Sequence, residues 1–150
     1  MQSTLHHVDE AEARRRLAGS KVAHLATVTA EGRPHVVPIV FALDGDTIYF
    51  AVDAKPKKTT RLARLKNIAV NPAVSVLVDH YDDDWTRLWW VRADGTAHIL
   101  TGGADAQQAL ELLATRYHQY TTEQPGGPVV AIHIDRVTGW TGAQADVTSR

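Results

Sequence analysis

The chain of 150 residues has no cysteine and no long apolar run. The lack of cysteine excludes a disulfide scaffold, cysteine-ligated zinc, an iron–sulfur cluster and a thiol nucleophile. The longest apolar stretches, such as residues 36–43, are far shorter than the about 20 residues of a membrane-spanning helix, so we expect no membrane span. Residues 1–10 lack the cationic and apolar regions of a secretory signal, and we therefore expect a cytoplasmic protein.

A surplus of positive charge is missing as well. Lys and Arg number 16 against 17 Asp and Glu, which gives a formal net charge of -1. Duplex-DNA binders usually carry a strong basic surplus, so we expect no nucleic-acid partner. Hydrophobic residues make up 44% of the chain and charged residues 22%, which are ordinary globular values, and residues 1–150 are predicted to form a single domain.

Several catalytic signatures are absent from the sequence. No GxGxxG, GxxxxGK[ST], GxSxG or HExxH pattern occurs, which excludes the dinucleotide, P-loop, hydrolase and zinc sites that these patterns mark. The eight histidines show no metal-ligand spacing, and the acidic run at residues 82–84 is interpreted as a solvated loop. We therefore predict no metal site.

Capping, turn and periodicity signals predict three helices among short strands. The helices are expected from Asp9 to Ala18, from Thr59 or Thr60 to Val70, and over residues 104–120, with a turn at residues 93–95. The predicted strands are residues 21–29, 35–43, 47–52, 73–79, 85–92, 96–101 and 129–135. This order predicts a mainly β, α+β fold in which about seven antiparallel strands form a small closed or partly closed barrel.

The strongest local signal is a basic segment at residues 55–66. It holds six cations and no acid: Lys55, Lys57, Lys58, Arg61, Arg64 and Lys66. Cations at a helix N-terminus oppose the helix dipole unless an anion binds there, so the segment is interpreted as a phosphate site. A solvated basic face is the alternative.

The four tryptophans are the second signal. Trp85 and Trp89 are predicted on one face of a strand and Trp90 on the other. They either form an aromatic wall against a planar cofactor or pack in a core or interface, and Trp140 is expected to seal the barrel end. Because the two faces of this strand both need cover, we expect self-association.

Two groups of segments carry a family resemblance. Residues 33–41, 48–53 and 55–58, with a helix that ends at Asn71-Pro72, resemble the pyridoxamine 5'-phosphate oxidase-like (PPOX class) split-barrel flavoproteins. Residues 74–79, 84–85, 88–92 (with the string LWWVR) and 95–97 are similar to the actinobacterial branch that uses the deazaflavin coenzyme F-420. The resemblance covers about residues 12–142 of the chain.

This resemblance implies a homodimeric split barrel of about six strands with two cofactor sites at the subunit interface. The cofactor phosphate is then expected on Lys55, Lys57, Lys58, Thr59 and Arg61. The ring is expected along Val37, Pro38 and Ile39, with Trp89 or Trp85 as an aromatic wall. The common oxidase branch has Ser-Arg-Lys before its helix, whereas this chain has Lys-Pro-Lys-Lys-Thr-Thr, which favours F-420 over FMN.

The resemblance thus implies an F-420-dependent oxidoreductase that transfers a hydride between the deazaflavin and a small organic substrate. The cofactor carries the chemistry, so no catalytic side chain is assigned. Two alternatives remain: an FMN-binding split-barrel oxidase or reductase, and a non-catalytic cofactor-binding protein. The substrate is not identifiable from the sequence.

Overall fold

The structure is a computed structural model that describes residues 6–52 and 59–143, with the backbone alone at residues 59–62. Seven strands and four α-helices form within these residues. Their order is α1 (Glu10–Gly19), β1 (Ala23–Val28), β2 (Pro34–Ile39), β3 (Ala42–Asp44), β4 (Thr47–Ala51), α2 (Thr59–Val70), β5 (Ala73–His80), β6 (Trp89–Leu100), α3 (Gly103–Arg116), α4 (Gln119–Thr122) and β7 (Val129–Thr141). None of the helices in these ranges is long and apolar enough to cross a membrane.

All seven strands belong to one antiparallel sheet with the order β2-β1-β5-β6-β7-β4-β3. The tight connections match the predicted turn chemistry. Gly45, with φ 60°, lies in the two-residue loop between β3 and β4, and Gly32, with φ 82°, lies between β1 and β2. The predicted mainly β fold with flanking helices is confirmed.

One face of the sheet covers the hydrophobic core, because side chains alternate between the two faces of each strand. Leu25, Val76 and Val91 lie on neighbouring strands, and each is 0% exposed. The first helix lies over β7 as an amphipathic element. Its predicted N-cap is confirmed, since the Asp9 carboxylate accepts the Glu12 N–H at 2.9 Å.

The predicted turn at residues 93–95 is wrong. Strand β6 continues from Trp89 to Leu100 and pairs with β7 throughout, with a bulge between Asp94 and Gly95. A Cβ atom at residue 95 would overlap the His133 carbonyl oxygen, so glycine serves here for close strand approach instead of a turn. The strands predicted at residues 85–92 and 96–101 are therefore joined in one long strand.

The predicted strand over residues 85–92 is also wrong at its start. Trp85–Arg87 is a 3-10 helix, so Trp85 and Trp89 do not share a strand face. Asp84 caps this helix: its Oδ1 accepts the Thr86 N–H at 3.1 Å and the Thr86 hydroxyl at 2.7 Å. Local side-chain hydrogen bonds of this kind compete with strand formation.

Tyr117 accounts for two further differences. The predicted strand 35–43 is broken into β2 and β3 at Phe41, whose N–H donates to the Tyr117 hydroxyl at 3.1 Å. The hydroxyl also lies 2.8 Å from the carbonyl oxygens of Phe41 and Lys21. Tyr117 itself is extended, with φ -122° and ψ 110°, so α3 ends at Arg116 instead of continuing to residue 120.

Candidate functional site

A groove with a volume of about 520 Å³ crosses the outward face of the sheet. Its strand residues alternate with core residues: His24 and Ala26 flank the buried Leu25. The lining is His24, Ala26, Val36, Ser75, Leu77, Asp79, His80, Tyr81, Leu88, Trp89, Trp90, Arg92 and Trp140. Apolar and aromatic side chains with a few polar groups are the usual lining of a small-molecule site.

The strand register places the outward side chains in three rows across the sheet. The first row contains Val36, Ala26, Ser75, Asp94 and Arg136 on β2, β1, β5, β6 and β7. The second contains Pro38, His24, Leu77, Arg92 and Thr138 in the same strand order. The third contains Asp79, Trp90 and Trp140 on β5, β6 and β7. The β2 side is thus mainly small and apolar, and the aromatic side chains lie at the third-row end of β6 and β7.

Two tryptophans form the aromatic end of the groove. Trp90 and Trp140 are direct cross-strand partners on β6 and β7, an arrangement that brings side chains into contact. The His6 ring stacks on Trp140 with a centroid distance of 5.8 Å, and its Nδ1 lies 2.9 Å from the Thr141 carbonyl oxygen. These contacts fix the Trp140 ring at the edge of the groove.

Trp89 lies between the groove and the core. It packs against the core cluster and also lines the groove. The Arg16 guanidinium lies 5.2 Å from the Trp89 ring centroid, and the His80 ring stacks on Trp89 at 6.0 Å. Trp89 is therefore held by cation–π and ring contacts at the boundary between the groove and the core, and its role as an aromatic wall for the cofactor stays a prediction.

A polar network lies on β5 and β6 beside Trp90. The Ser75 hydroxyl donates to Asp94 Oδ1 at 2.7 Å, and Arg92 Nε donates to the same oxygen at 3.1 Å. The Arg92 guanidinium lies 5.8 Å from the Trp90 ring centroid. A charged guanidinium is thus held in place at the aromatic end.

The loop from residue 80 to 88 forms one rim of the groove through Tyr81 and Leu88. It is stiffened by its own hydrogen bonds: Asp82 Oδ1 accepts the Asp84 N–H at 2.8 Å. Hydrogen bonds from the Thr86 side chain and backbone hold the pKa of Asp84 below its usual range, so this carboxylate stays ionised as the helix cap. These local hydrogen bonds hold the loop that carries Tyr81 and Leu88 to the rim.

The site residues predicted from the sequence fall in different places. Lys55, Lys57 and Lys58 lie outside the described residues, and of Thr59 and Arg61 only the backbone, in the first turn of α2, is described. The basic segment therefore stays a prediction. No group of three or more His, Asp or Glu that could hold a metal occurs within residues 6–52 and 59–143.

The three residues predicted along the cofactor ring divide between the two faces of β2. Pro38 is exposed on the outward face, in the second row of the groove face. Val37 packs against the core, and Ile39 is 5% exposed within it. A ring lying on this strand would meet the Pro38 side chain and reach Val37 and Ile39 through their backbone.

The sequence analysis assigned no ligand-binding role to Trp140, Arg92 or Asp94, of which the first two line the groove and Asp94 contacts the lining residue Arg92. Trp140 was expected at the barrel end, whereas it lines the groove opposite Trp90. Arg92 and Asp94 received no role, because the turn predicted at residues 93–95 separated them. Their i, i+2 spacing in an uninterrupted strand would have placed both on the face of Trp90.

The fold is a small antiparallel sheet with flanking helices, and the groove on its outward face is a candidate site for a small molecule. A family model described as pyridoxamine 5'-phosphate oxidase matches residues 9–141. The chain belongs to this family. A comparison with curated protein sequences gave no match.

Solved structures share the fold at low sequence identity. A conserved hypothetical protein from Mycobacterium tuberculosis matches with a TM-score of 0.77 and 20% identity over 95% of this chain and 90% of that one. An FAD-binding protein from Mesorhizobium loti matches with a TM-score of 0.71 and 22% identity, over 89% of this chain and 93% of that one. The heme storage protein HutZ from Vibrio cholerae matches with a TM-score of 0.69 and 18% identity, over 91% of this chain and 96% of that one. At these identities the matches establish the fold.

Proposed function

We propose that the chain is an oxidoreductase that uses the deazaflavin coenzyme F-420 to transfer a hydride between the cofactor and a small organic substrate. The observation that carries the proposal is the groove of about 520 Å³, with its apolar β2 side and the aromatic pair Trp90 and Trp140 at its β6–β7 end. Its volume lies within the about 300–1,000 Å³ of typical ligand pockets. The FAD-binding relative from Mesorhizobium loti supports a flavin-type cofactor, and FMN is the alternative.

The β2 side of the groove fits a flat ring system. Val36, Ala26 and Pro38 are small side chains on the outward face, so a planar ring can lie close to the strands. The cofactor phosphate is assigned to the basic segment, with Lys55, Lys57, Lys58, Thr59 and Arg61 as its ligands. This segment follows β4 and leads into α2, where free backbone N–H groups add to the charge of the side chains.

The chain's own residues position the reactants and exclude water. When bound, F-420 supplies the hydride at its central ring carbon. Trp90 and Trp140 restrict a neighbouring molecule to one plane, and Tyr81 and Leu88 cover one rim. Removing water from a site of this kind strengthens the electrostatic contacts inside it.

We also propose that two copies of the chain meet at their groove faces and close the site. Val36 is 61% exposed, Tyr81 67% and Trp85 68%, all on or beside the groove rim. Exposed aromatic and aliphatic side chains next to an apolar groove are typical of interfaces. Sedimentation should give twice 16.5 kDa, and a monomer that holds the cofactor would contradict this arrangement.

Two equally exposed valines allow a matched test of the cofactor position. Val36 is 61% exposed on the groove face of β2, and Val70 is 63% exposed at the end of α2. Val36→Trp fills the β2 side of the groove and should weaken F-420 binding roughly tenfold, about 1.4 kcal/mol, because the indole would occupy the space of the cofactor ring. Val70→Trp should bind like the wild type. If both variants bind F-420 equally well, the cofactor ring does not lie on the β2 side of the groove.

A further inference from the structure

We propose that the β6–β7 side of the groove binds the carboxylate of a planar, conjugated substrate and that Arg92 is its ligand. This proposal rests on the proposed function, because it takes the molecule beside the cofactor ring to be the substrate. Trp90 and Trp140 provide the surface for the ring of that substrate.

The Arg92 side chain is held before any ligand binds. Its Nε donates to Asp94 Oδ1 at 3.1 Å, and the same oxygen accepts the Ser75 hydroxyl at 2.7 Å. The guanidinium also lies 5.8 Å from the Trp90 ring centroid. Two restraints on one guanidinium reduce the entropy that binding a ligand would otherwise cost.

The Nε contact leaves the outer edge of the guanidinium available. Arg92 is 38% exposed, and its terminal nitrogens make no hydrogen bond to the residues that the structure describes. Two parallel N–H groups at that edge match the two oxygens of a carboxylate. Asp94 already neutralises the Arg92 guanidinium. We therefore expect Arg92 to recognise a substrate carboxylate by directed hydrogen bonds more than by net charge.

The neighbouring charges set the orientation of the substrate. Arg92 and Trp90 are two residues apart on β6, so their side chains leave the strand about 7 Å apart. Asp79 lies directly opposite Trp90 and repels an anion at that end. A ring with a carboxylate attached directly to it can therefore lie over Trp90 with its acid group at Arg92.

The width of the groove leaves room for this second molecule. Its face spans β2, β1, β5, β6 and β7, which at the usual strand spacing is about 19 Å measured along the sheet. A cofactor ring on the β2 side and an aromatic acid held at Arg92 would then both fit on this face, and hydride transfer would require the acid to overlap the open face of the cofactor ring. That arrangement brings the two reactants together on one face of the sheet.

The test uses two probes of equal shape, 2-naphthoate and 2-naphthamide, with the intact protein. Binding is followed by tryptophan fluorescence in the absence of any cofactor. Wild type should bind naphthoate about tenfold more tightly, the low end expected for a charge-assisted hydrogen bond at a partly exposed group. Arg92→Met should abolish this preference, and Arg92→Lys should keep part of it.

A matched control is Arg136→Met. It removes one positive charge from the same outward face of the sheet, on the neighbouring strand β7, and should leave the preference for naphthoate within about twofold of the wild-type value. Circular dichroism checks that each variant folds. If Arg92→Met does not fold, Arg92→Gln serves instead, since it keeps a polar side chain but removes the guanidinium and should also abolish the preference. Equal binding of the two probes to wild type, or an unchanged preference in the folded variant, overturns the carboxylate site.

A second arm separates this proposal from the proposed function. Naphthoate should bind to the F-420 complex with unchanged affinity, as a substrate analogue beside the cofactor would. Competitive displacement of F-420 by naphthoate overturns the substrate assignment. Failure of F-420 to bind, together with an Arg92-dependent preference for naphthoate, overturns the proposed function and leaves the carboxylate site in place.

Discussion

Replacing Tyr117 with phenylalanine should lower the free energy of unfolding by about 2 kcal/mol. The hydroxyl accepts the Phe41 N–H at 3.1 Å and lies 2.8 Å from the Phe41 and Lys21 carbonyl oxygens. Phe41 is 0% exposed, so water cannot readily replace the lost partner. Leaving one buried polar group unpaired costs about 1–3 kcal/mol, and the ring itself is retained.

Urea unfolding measures this change directly. The midpoint should fall with an unchanged slope, and the melting temperature should fall by about 4–8 °C for a chain of this size. Tyr81→Phe is the matched control, because Tyr81 is 67% exposed, and its effect should stay within about 0.5 kcal/mol. A Tyr117→Phe variant as stable as this control would refute the role of the hydroxyl at the break between β2 and β3.

Three further predictions concern the bulge, the acid stability of α1 and the basic segment. Gly95→Ala should lower the unfolding free energy by about 1–3 kcal/mol in a urea titration, since the new Cβ overlaps a β7 carbonyl oxygen, and wild-type stability would contradict it. Hydrogen bonds from the Arg15 and then the Arg16 side chain lower the Glu12 pKa below 4.5, so Glu12→Gln should be less stable than wild type at pH 7. That difference should vanish as the pH falls through the lowered pKa, and a difference that persists in acid would exclude the ion pair as its cause. Lys57→Ala or Lys58→Ala should weaken cofactor binding about 10- to 150-fold, less at high salt, whereas Arg15→Ala should change it at most about twofold. If the lysine variants bind like wild type, the segment is a solvated face.

Much of the fold could be predicted because its signals are local. Asp9 caps α1, and Gly45 closes a two-residue hairpin, as expected from short stretches of sequence. The error at Gly95 arose because a glycine in a strand pattern indicates either a turn or a bulge. Pairing of β6 with β7, which lie far apart in the sequence, decides between the two.

The candidate site was harder to predict than the fold. Its side chains come from β1, β2, β5, β6 and β7, so their proximity depends on strand order and register. Trp140 faces the groove because β7 continues to Thr141, well past the predicted end at residue 135. Asp94 needed an uninterrupted β6 to be placed on the same face as Arg92 and Trp90.

The measurement that tests the central claim most directly is a parallel titration of the protein with oxidised F-420 and with FMN at one salt concentration. Trp90 and Trp140 line the groove, so a bound ring should quench the tryptophan fluorescence. The proposed function predicts saturable quenching by both cofactors, with the lower Kd for F-420. Binding of FMN tenfold more tightly than F-420 would contradict the deazaflavin assignment, and binding of neither would contradict the cofactor site itself.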